Sequence, residues 1–458
     1  MKRFPLSADG FFLLVALLVG GALVFVTPPF QVPDEPAHFF RAWEVSEGRL
    51  IRWDKQGRGG GPLPESVQGV AAVLLGDLPG KPERKIAVAQ IRDGLRVPLR
   101  PGHRVEVYFP NSVLYTFVPY IPQALVIRAG RALEAPPLVT FYAARLAAFL
   151  VSTLLTGFAI RRAPAFRWLL ALVALTPMAL FQRASVSADA LTIASAFVLG
   201  ALAARLAWGP EIPGRERRRD FLLLTAAAVA LCLCKPAYVL LAGAVLLIPA
   251  ARLPGGRRVP AFLFYGLAVG LAFAVGMING RLTEVELRPG VGVNAAAQIH
   301  DATREPVRFL GVVVRDYVVH ADRYLAQLVG QLGWLDVKLP LVFLTLYLVF
   351  LAAFGLLDGE GVRIEPWQRG LLALMVTGTL LLLSAAQYAI WTPYRASYLE
   401  GLQGRYYMPV VPVAVWLLHL RLRRLPQVEE GRLGWAAAGL TAVSAVVTFY
   451  SLIERYYG

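Results

Sequence analysis

The chain has 458 residues, 57% of them hydrophobic and only 17% charged, with a formal net charge of +16. That length would hold two or three soluble domains, but apolar runs of bilayer-crossing length recur from end to end and exclude a soluble protein. The basic excess lies in short segments between those runs, so its partner is anionic membrane lipid and not nucleic acid.

Met1-Lys2-Arg3 followed by apolar Phe11 to Val26 imitates a secretory signal. No small-x-small cleavage site precedes Pro28, so the run is expected to remain as a first membrane helix, at about 10–27. Directly after it comes Pro28-Pro29-Phe30-Gln31-Val32-Pro33-Asp34-Glu35-Pro36-Ala37-His38-Phe39-Phe40-Arg41-Ala42-Trp43. Three prolines ahead of the acids stop the helix, because proline lacks an N–H and fixes φ. Pro36 then opens a second helix at its first position. Asp34 and Glu35 are thereby held in a rigid turn at the membrane surface, either as a site or as caps of the second helix.

A long exterior segment, 28–136, continues with a glycine-rich bend from Gly57 to Gly61, a polar stretch, and Tyr108-Phe109-Pro110-Asn111. Its apolar end, as far as Ile127, reads as interfacial helices lying on the membrane. Ten more spans follow, at about 137–160, 167–184, 190–208, 221–235, 237–251, 259–279, 339–357, 370–390, 408–420 and 434–452. The only cysteines, Cys232 and Cys234, share one of these runs, which excludes a disulfide framework. A second exterior segment, 280–338, is polar at first and then amphipathic from Val307 to Leu332. The expectation is one all-α polytopic domain over 1–458, with about eleven transmembrane helices.

The path predicts its own orientation. With the N-terminus inside, the inner segments hold eighteen basic residues, among them Arg161, Arg162, Arg215, Arg217, Arg218 and Arg219. The short outer segments hold five: Arg183, Lys235, Arg395, Arg405 and Arg455. Counting 110–128 as a true span would invert every later segment and oppose the positive-inside rule.

On this path the unusual polar residues fall on the exterior side. Asp34, Glu35 and His38 end the first span, and Gln182-Arg183-Ala184-Ser185-Val186-Ser187-Ala188-Asp189 forms the next exterior turn. Lys235-Pro236, Trp334-Leu335-Asp336, Tyr394-Arg395 and Gln403-Gly404-Arg405-Tyr406-Tyr407 complete the set. Each has an ordinary alternative: Asp189 as a helix cap, Lys235 as a snorkelling lysine, Arg405 and its tyrosines as an interfacial belt, Trp334 as an anchor. Together they point to one exterior cavity, because ionisable groups at membrane depth are costly and pair or serve function. Acids there suit a base or a metal, and cations suit a phosphate.

These motifs, in this order, resemble a bacterial polytopic membrane family, the domain of unknown function numbered twenty-one forty-two. That family in turn resembles the GT-C glycosyltransferases, such as protein O-mannosyltransferases and the aminoarabinose transferase of lipid A. The resemblance implies a GT-C-like fold in which Asp34, the carboxylate after the first helix, is the general base for the acceptor, with Glu35 beside it. It implies Asp189 at the next exterior turn, Lys235 at the lipid phosphate, and Arg405-Tyr406 at the start of a late span. His38, Arg41, Gln182, Ser187, Trp334, Asp336 and Tyr406 are expected to help line the substrate. A divalent cation such as Mg or Mn, if used, would sit on Asp34, Glu35 and Asp189.

The expected activity is an inverting transfer of a sugar from a polyprenyl-phosphate donor to a glycan, lipid or protein acceptor of the cell envelope. The enzyme would sit in the cytoplasmic (inner) membrane with its site facing the exterior. The competing readings are a transporter or flippase of lipid-linked glycans, and a non-catalytic partner in envelope polysaccharide assembly. Paired, broken mid-membrane helices would favour the flippase, and tolerance of substitution in the polar turns would favour the partner.

Overall fold

The computed structural model describes residues 4–51, 59–282, 287–288, 290–358, 362–417 and 429–458. Helices dominate, and six are long and apolar enough to cross a membrane: Ala8–Val26, Pro137–Arg162, Asp189–Trp208, Arg258–Leu282, Pro366–Ile390 and Glu430–Tyr456. The first starts on Ser7, whose hydroxyl accepts from the Gly10 N–H, and carries a π-helical turn at Ala16–Gly20.

Asp189–Trp208 is the central helix, buried almost all round between Pro137–Arg162 and Gly214–Cys234. Its alanines and Gly200 let neighbours approach closely, as small residues do between membrane helices. A Cβ on Gly200 would stand 2.8 Å from the Pro412 carbonyl oxygen.

The other five expected spans take other forms. Residues 167–184 break into Arg167–Ala174 and Pro177–Arg183, because Pro177 cannot continue the first helix and Thr176 caps the second through the Ala179 N–H. The run at 221–235 is the end of a helix that begins in the basic segment, Gly214–Cys234. The run at 237–251 is a 3-10 helix, Pro236–Leu247. Leu341–Leu357 is a single helix of 17 residues. Val411–Leu417 is described, whereas 418–420 lie outside the described residues.

The two long segments between the apolar runs, 28–136 and 280–338, are folded where described. The first contains helices Glu35–Ser46, Glu65–Leu75, Val88–Gly94 and Ile121–Ala132, packed on an aromatic cluster in which Phe30 and Phe39 meet Phe141 at 4.4 and 5.2 Å between ring centroids. The second contains Ala295–Arg304, Pro306–Val319 and Ala321–Gly330. The all-α expectation needs one correction. Gly60–Pro64 pairs antiparallel with Arg104–Tyr108, Gly60 facing Tyr108 and Pro64 facing Arg104, and Gln331–Leu332 pairs with Val337–Lys338. Part of the glycine bend therefore becomes an edge strand, since a Cβ on Gly60 would overlap the Val107 carbonyl. Gly57 lies outside the described residues.

Candidate functional site

Four segment ends converge on one side of the molecule. Asp34 follows the first helix, Asp189 begins the central helix, Lys235 ends its antiparallel neighbour, and Arg405 sits in the turn Gly404–Tyr407.

Asp34 holds a left-handed backbone, φ 65° and ψ 1°. A non-glycine residue there costs about 1–3 kcal/mol and such strain concentrates at functional positions. Its carboxylate makes no capping bond to the helix it precedes. Instead Oδ1 accepts from Asn111 Nδ2 at 2.7 Å and Oδ2 from Arg405 Nη2 at 3.1 Å. The Asp34 side chain is 32% exposed and the Arg405 side chain 4%, so the acid is the open end of the pair.

Asp189 does not cap either; its Oδ1 is bonded to Lys235 Nζ, and its Oδ2 lies 3.9 Å from Arg405 Nε. The Lys235 ammonium also stands 5.3 Å from the centre of the Tyr115 ring and 4.9 Å from that of Tyr406, a cation held between two aromatic faces. Tyr238 steadies this corner by donating its hydroxyl to the Tyr406 carbonyl at 2.8 Å. Arg405 Nε is buried with no hydrogen-bond partner among the described residues.

His38 lies within the electrostatic reach of all four charges, yet burial pushes its imidazole down to about 4, so it is neutral near pH 7 and shares a 2.7 Å hydrogen bond with the Tyr120 hydroxyl. The turn bearing Arg405 is held by the helix Ala321–Gly330. Gln327 Oε1 accepts from the Gly404 N–H at 2.8 Å, and a Cβ on Gly404 would stand 2.1 Å from the Tyr324 carbonyl oxygen.

Glu35 points away from Asp34. Its carboxylate is fully buried and takes Arg145 Nε at 2.8 Å, Arg145 Nη2 at 2.6 Å and the Val186 N–H at 3.0 Å. Arg145 spends its other donors on the Val24, Thr27 and Pro28 carbonyls at the end of the first helix. All five guanidinium N–H groups are thus used.

The remaining expected residues lie in local networks. Arg41 is buried against Glu44 and the Arg49 and Leu50 carbonyls, and Gln182 Nε2 contacts Met178 Sδ at 3.6 Å. Ser187 Oγ accepts from the Asp189 N–H at 2.9 Å and so shapes the turn that carries the acid. Trp334 donates to the Phe30 carbonyl at 3.2 Å, and Asp336 pairs with Arg455 at 2.6 Å.

With Glu35 taken by Arg145 and both Asp34 and Asp189 facing cations, the three acids do not form a divalent-cation cage. Among the described residues no group of three or more His, Cys, Asp or Glu could hold a metal ion. Three contributors were missed from sequence. Asn111 lies in the short helix Pro110–Val113 and Tyr115 in the turn after it, and their partners are distant in sequence. Arg145 carried a readable signal, a lone cation within an apolar run.

The profile of DUF2142, described as a predicted membrane protein, matches residues 17–414. The chain belongs to the DUF2142 family. No curated protein and no solved structure matches it. The stretch shared with the DUF2142 family includes Asp34, Asn111, Asp189, Lys235 and Arg405 and stops short of the last helix, Glu430–Tyr456.

Proposed function

We propose that this DUF2142 protein is a membrane glycosyltransferase of GT-C type that transfers a sugar from a polyprenyl-phosphate donor to an acceptor hydroxyl on the exterior face. One observation carries the reading: a partly open carboxylate, Asp34, converges from distant sequence with two cations, Lys235 and Arg405, at one end of the helices. The acceptor O–H gives its proton to Asp34 while its oxygen bonds to the anomeric carbon from the face opposite the phosphate. The bond from that carbon to the phosphate oxygen breaks, and the lipid phosphate leaves with the electron pair. Charge gathers on that oxygen, where preorganised donors count most. Arg405 and Lys235 supply positive charge there, and Asp189 and the two tyrosine rings keep the Lys235 ammonium in place. Glu35 acts through the turn and not on the substrate.

Purified protein supplied with a polyprenyl-phosphate sugar should release polyprenyl phosphate, and a deletion strain should accumulate the unused lipid-linked sugar, read by mass spectrometry. Movement of lipid-linked glycan across vesicles without release would replace the reading with a flippase.

Orientation has its own test. Glu83→Cys and Ser397→Cys, at exposed positions in the exterior segments, should react with an impermeant thiol reagent in intact cells lacking Cys232 and Cys234. Arg218→Cys, at the other end of the helices, should not. The reverse pattern overturns the assigned orientation.

The two cations should be coupled, since Asp189 touches both. Lys235→Gln and Arg405→Gln should each weaken donor use by about 10–100-fold, the loss of one charge-assisted hydrogen bond. The double variant should depart from additivity by about 0.5–3 kcal/mol. Simple additivity in that cycle would mean the cations do not share one phosphate.

A further inference from the structure

At the opposite end of the helices that carry Asp189 and Lys235, the loop joining Asp189–Trp208 to Gly214–Cys234 encloses a cavity of about 120 Å³ with the segment 249–252. Three arginines line it, Arg205, Arg217 and Arg252, against one acidic residue, Glu211.

The three cations are not equivalent. Arg205 is paired within the protein, its Nε 2.9 Å from Asp220 Oδ2, a carboxylate it shares with Arg162 and Arg219, and its Nη2 3.7 Å from Glu216. Arg217 and Arg252 have no carboxylate within ion-pair distance among the described residues. Backbone carbonyls hold them instead: Arg217 Nη1 donates to Ala251 at 2.7 Å and its Nη2 to Ile212 at 3.4 Å, and Arg252 Nη1 donates to Gly209 at 2.7 Å and Ala207 at 3.3 Å. Carbonyls fix the direction of a guanidinium without cancelling its charge. Arg252 spends only Nη1 on these bonds, which leaves Nε and Nη2 as an ordered edge.

We propose that this cavity binds a phosphate group. The free Nε/Nη2 edge of Arg252 is the fork that phosphate oxygens accept from in pairs, and the oriented Arg217 adds a second charge beside it. The volume of about 120 Å³ is enough for a phosphate. The cations lining the cavity outnumber its one carboxylate, Glu211, so the cavity favours an anion. Arginines at such helix ends are commonly topogenic, but topology needs only charge, and neither a cavity nor carbonyl-held direction. The phosphate could be a lipid headgroup or a soluble ion, and the test separates them.

Full-length protein in phosphate-free detergent is titrated with dihexanoyl phosphatidylglycerol, with dihexanoyl phosphatidylcholine and with inorganic phosphate, reading native mass spectrometry and melting temperature. Saturable binding of phosphatidylglycerol but not inorganic phosphate assigns a headgroup site; saturation by inorganic phosphate assigns a soluble ligand. In either case Arg217→Gln and Arg252→Gln should weaken binding at least about tenfold. Arg215→Gln removes the same charge from an exposed position outside the cavity and should not change it. Arg252→Lys keeps the charge but loses the fork, so it should also weaken binding, and it serves if the glutamine variant fails to fold. No saturable binding by the wild type, or equal weakening by Arg215→Gln, overturns the proposal.

Discussion

Asp34→Asn should cut sugar transfer by about 10²–10⁴-fold, the usual loss on removing a general base, while the protein still folds. Asparagine tolerates the left-handed backbone at this position, and the helix loses no cap because the Asp34 carboxylate makes none. The cost falls on the Arg405 contact, where an amide replaces the carboxylate. That contact involves a side chain one-third exposed to solvent, so water can take over part of it. Release of polyprenyl phosphate and thermal melting in detergent should therefore separate, the first collapsing and the second moving little. Wild-type turnover by this variant on a verified donor would remove Asp34 from the chemistry.

The adjacent acid should behave in the opposite way. Glu35→Gln leaves the Arg145 guanidinium buried without its counter-charge, and breaking such a pair costs about 3–5 kcal/mol. The expected result is a large drop in melting temperature and in yield, whatever happens to turnover per folded molecule. Arg145→Met should do the same, with a further loss because three carbonyls at the end of the first helix lose their donor. The double replacement Glu35→Leu with Arg145→Met should recover part of the stability, since an apolar pair can stand in for a buried ion pair. It should not recover all of it, because those carbonyls stay unpaired. Melting of Glu35→Gln within a degree or two of wild type would contradict the structural role of this pair.

This contrast marks how far the sequence could be read. Asp34, Asp189, Lys235 and Arg405 are legible because each is an ionisable residue at the end of an apolar run, and antiparallel helices bring such ends together. Which of two neighbouring acids faces the cavity is not legible, because it depends on Arg145, 110 residues away. Arg41, Gln182 and Asp336 lie in motifs of the right composition, but their partners are local carbonyls, a methionine and Arg455. The strand Gly60–Pro64 was hidden by Pro62 and Pro64, residues that argue against a strand unless it lies at an edge. The broken helix at Thr176-Pro177 was hidden by an apolar composition that carries no sign of where hydrogen bonding stops.

The 3-10 helix Pro236–Leu247 changes how length and faces should be counted there. At about 2.0 Å per residue its twelve residues reach about 24 Å, where an α-helix would need about sixteen. A segment too short by residue number thus comes within reach of the bilayer core's thickness. Its faces repeat every three residues: Tyr238, Leu241, Ala244 and Leu247 are all buried, while Leu240 and Leu246 are exposed. Gly243 falls on the Leu240 row, and there a Cβ would press on the Met375 sulfur at 3.1 Å. The segment reads correctly on a wheel of 120° per residue. On that wheel Tyr238, whose hydroxyl fixes Tyr406 beside Lys235, is the first member of a straight seam running the length of the segment to its far end.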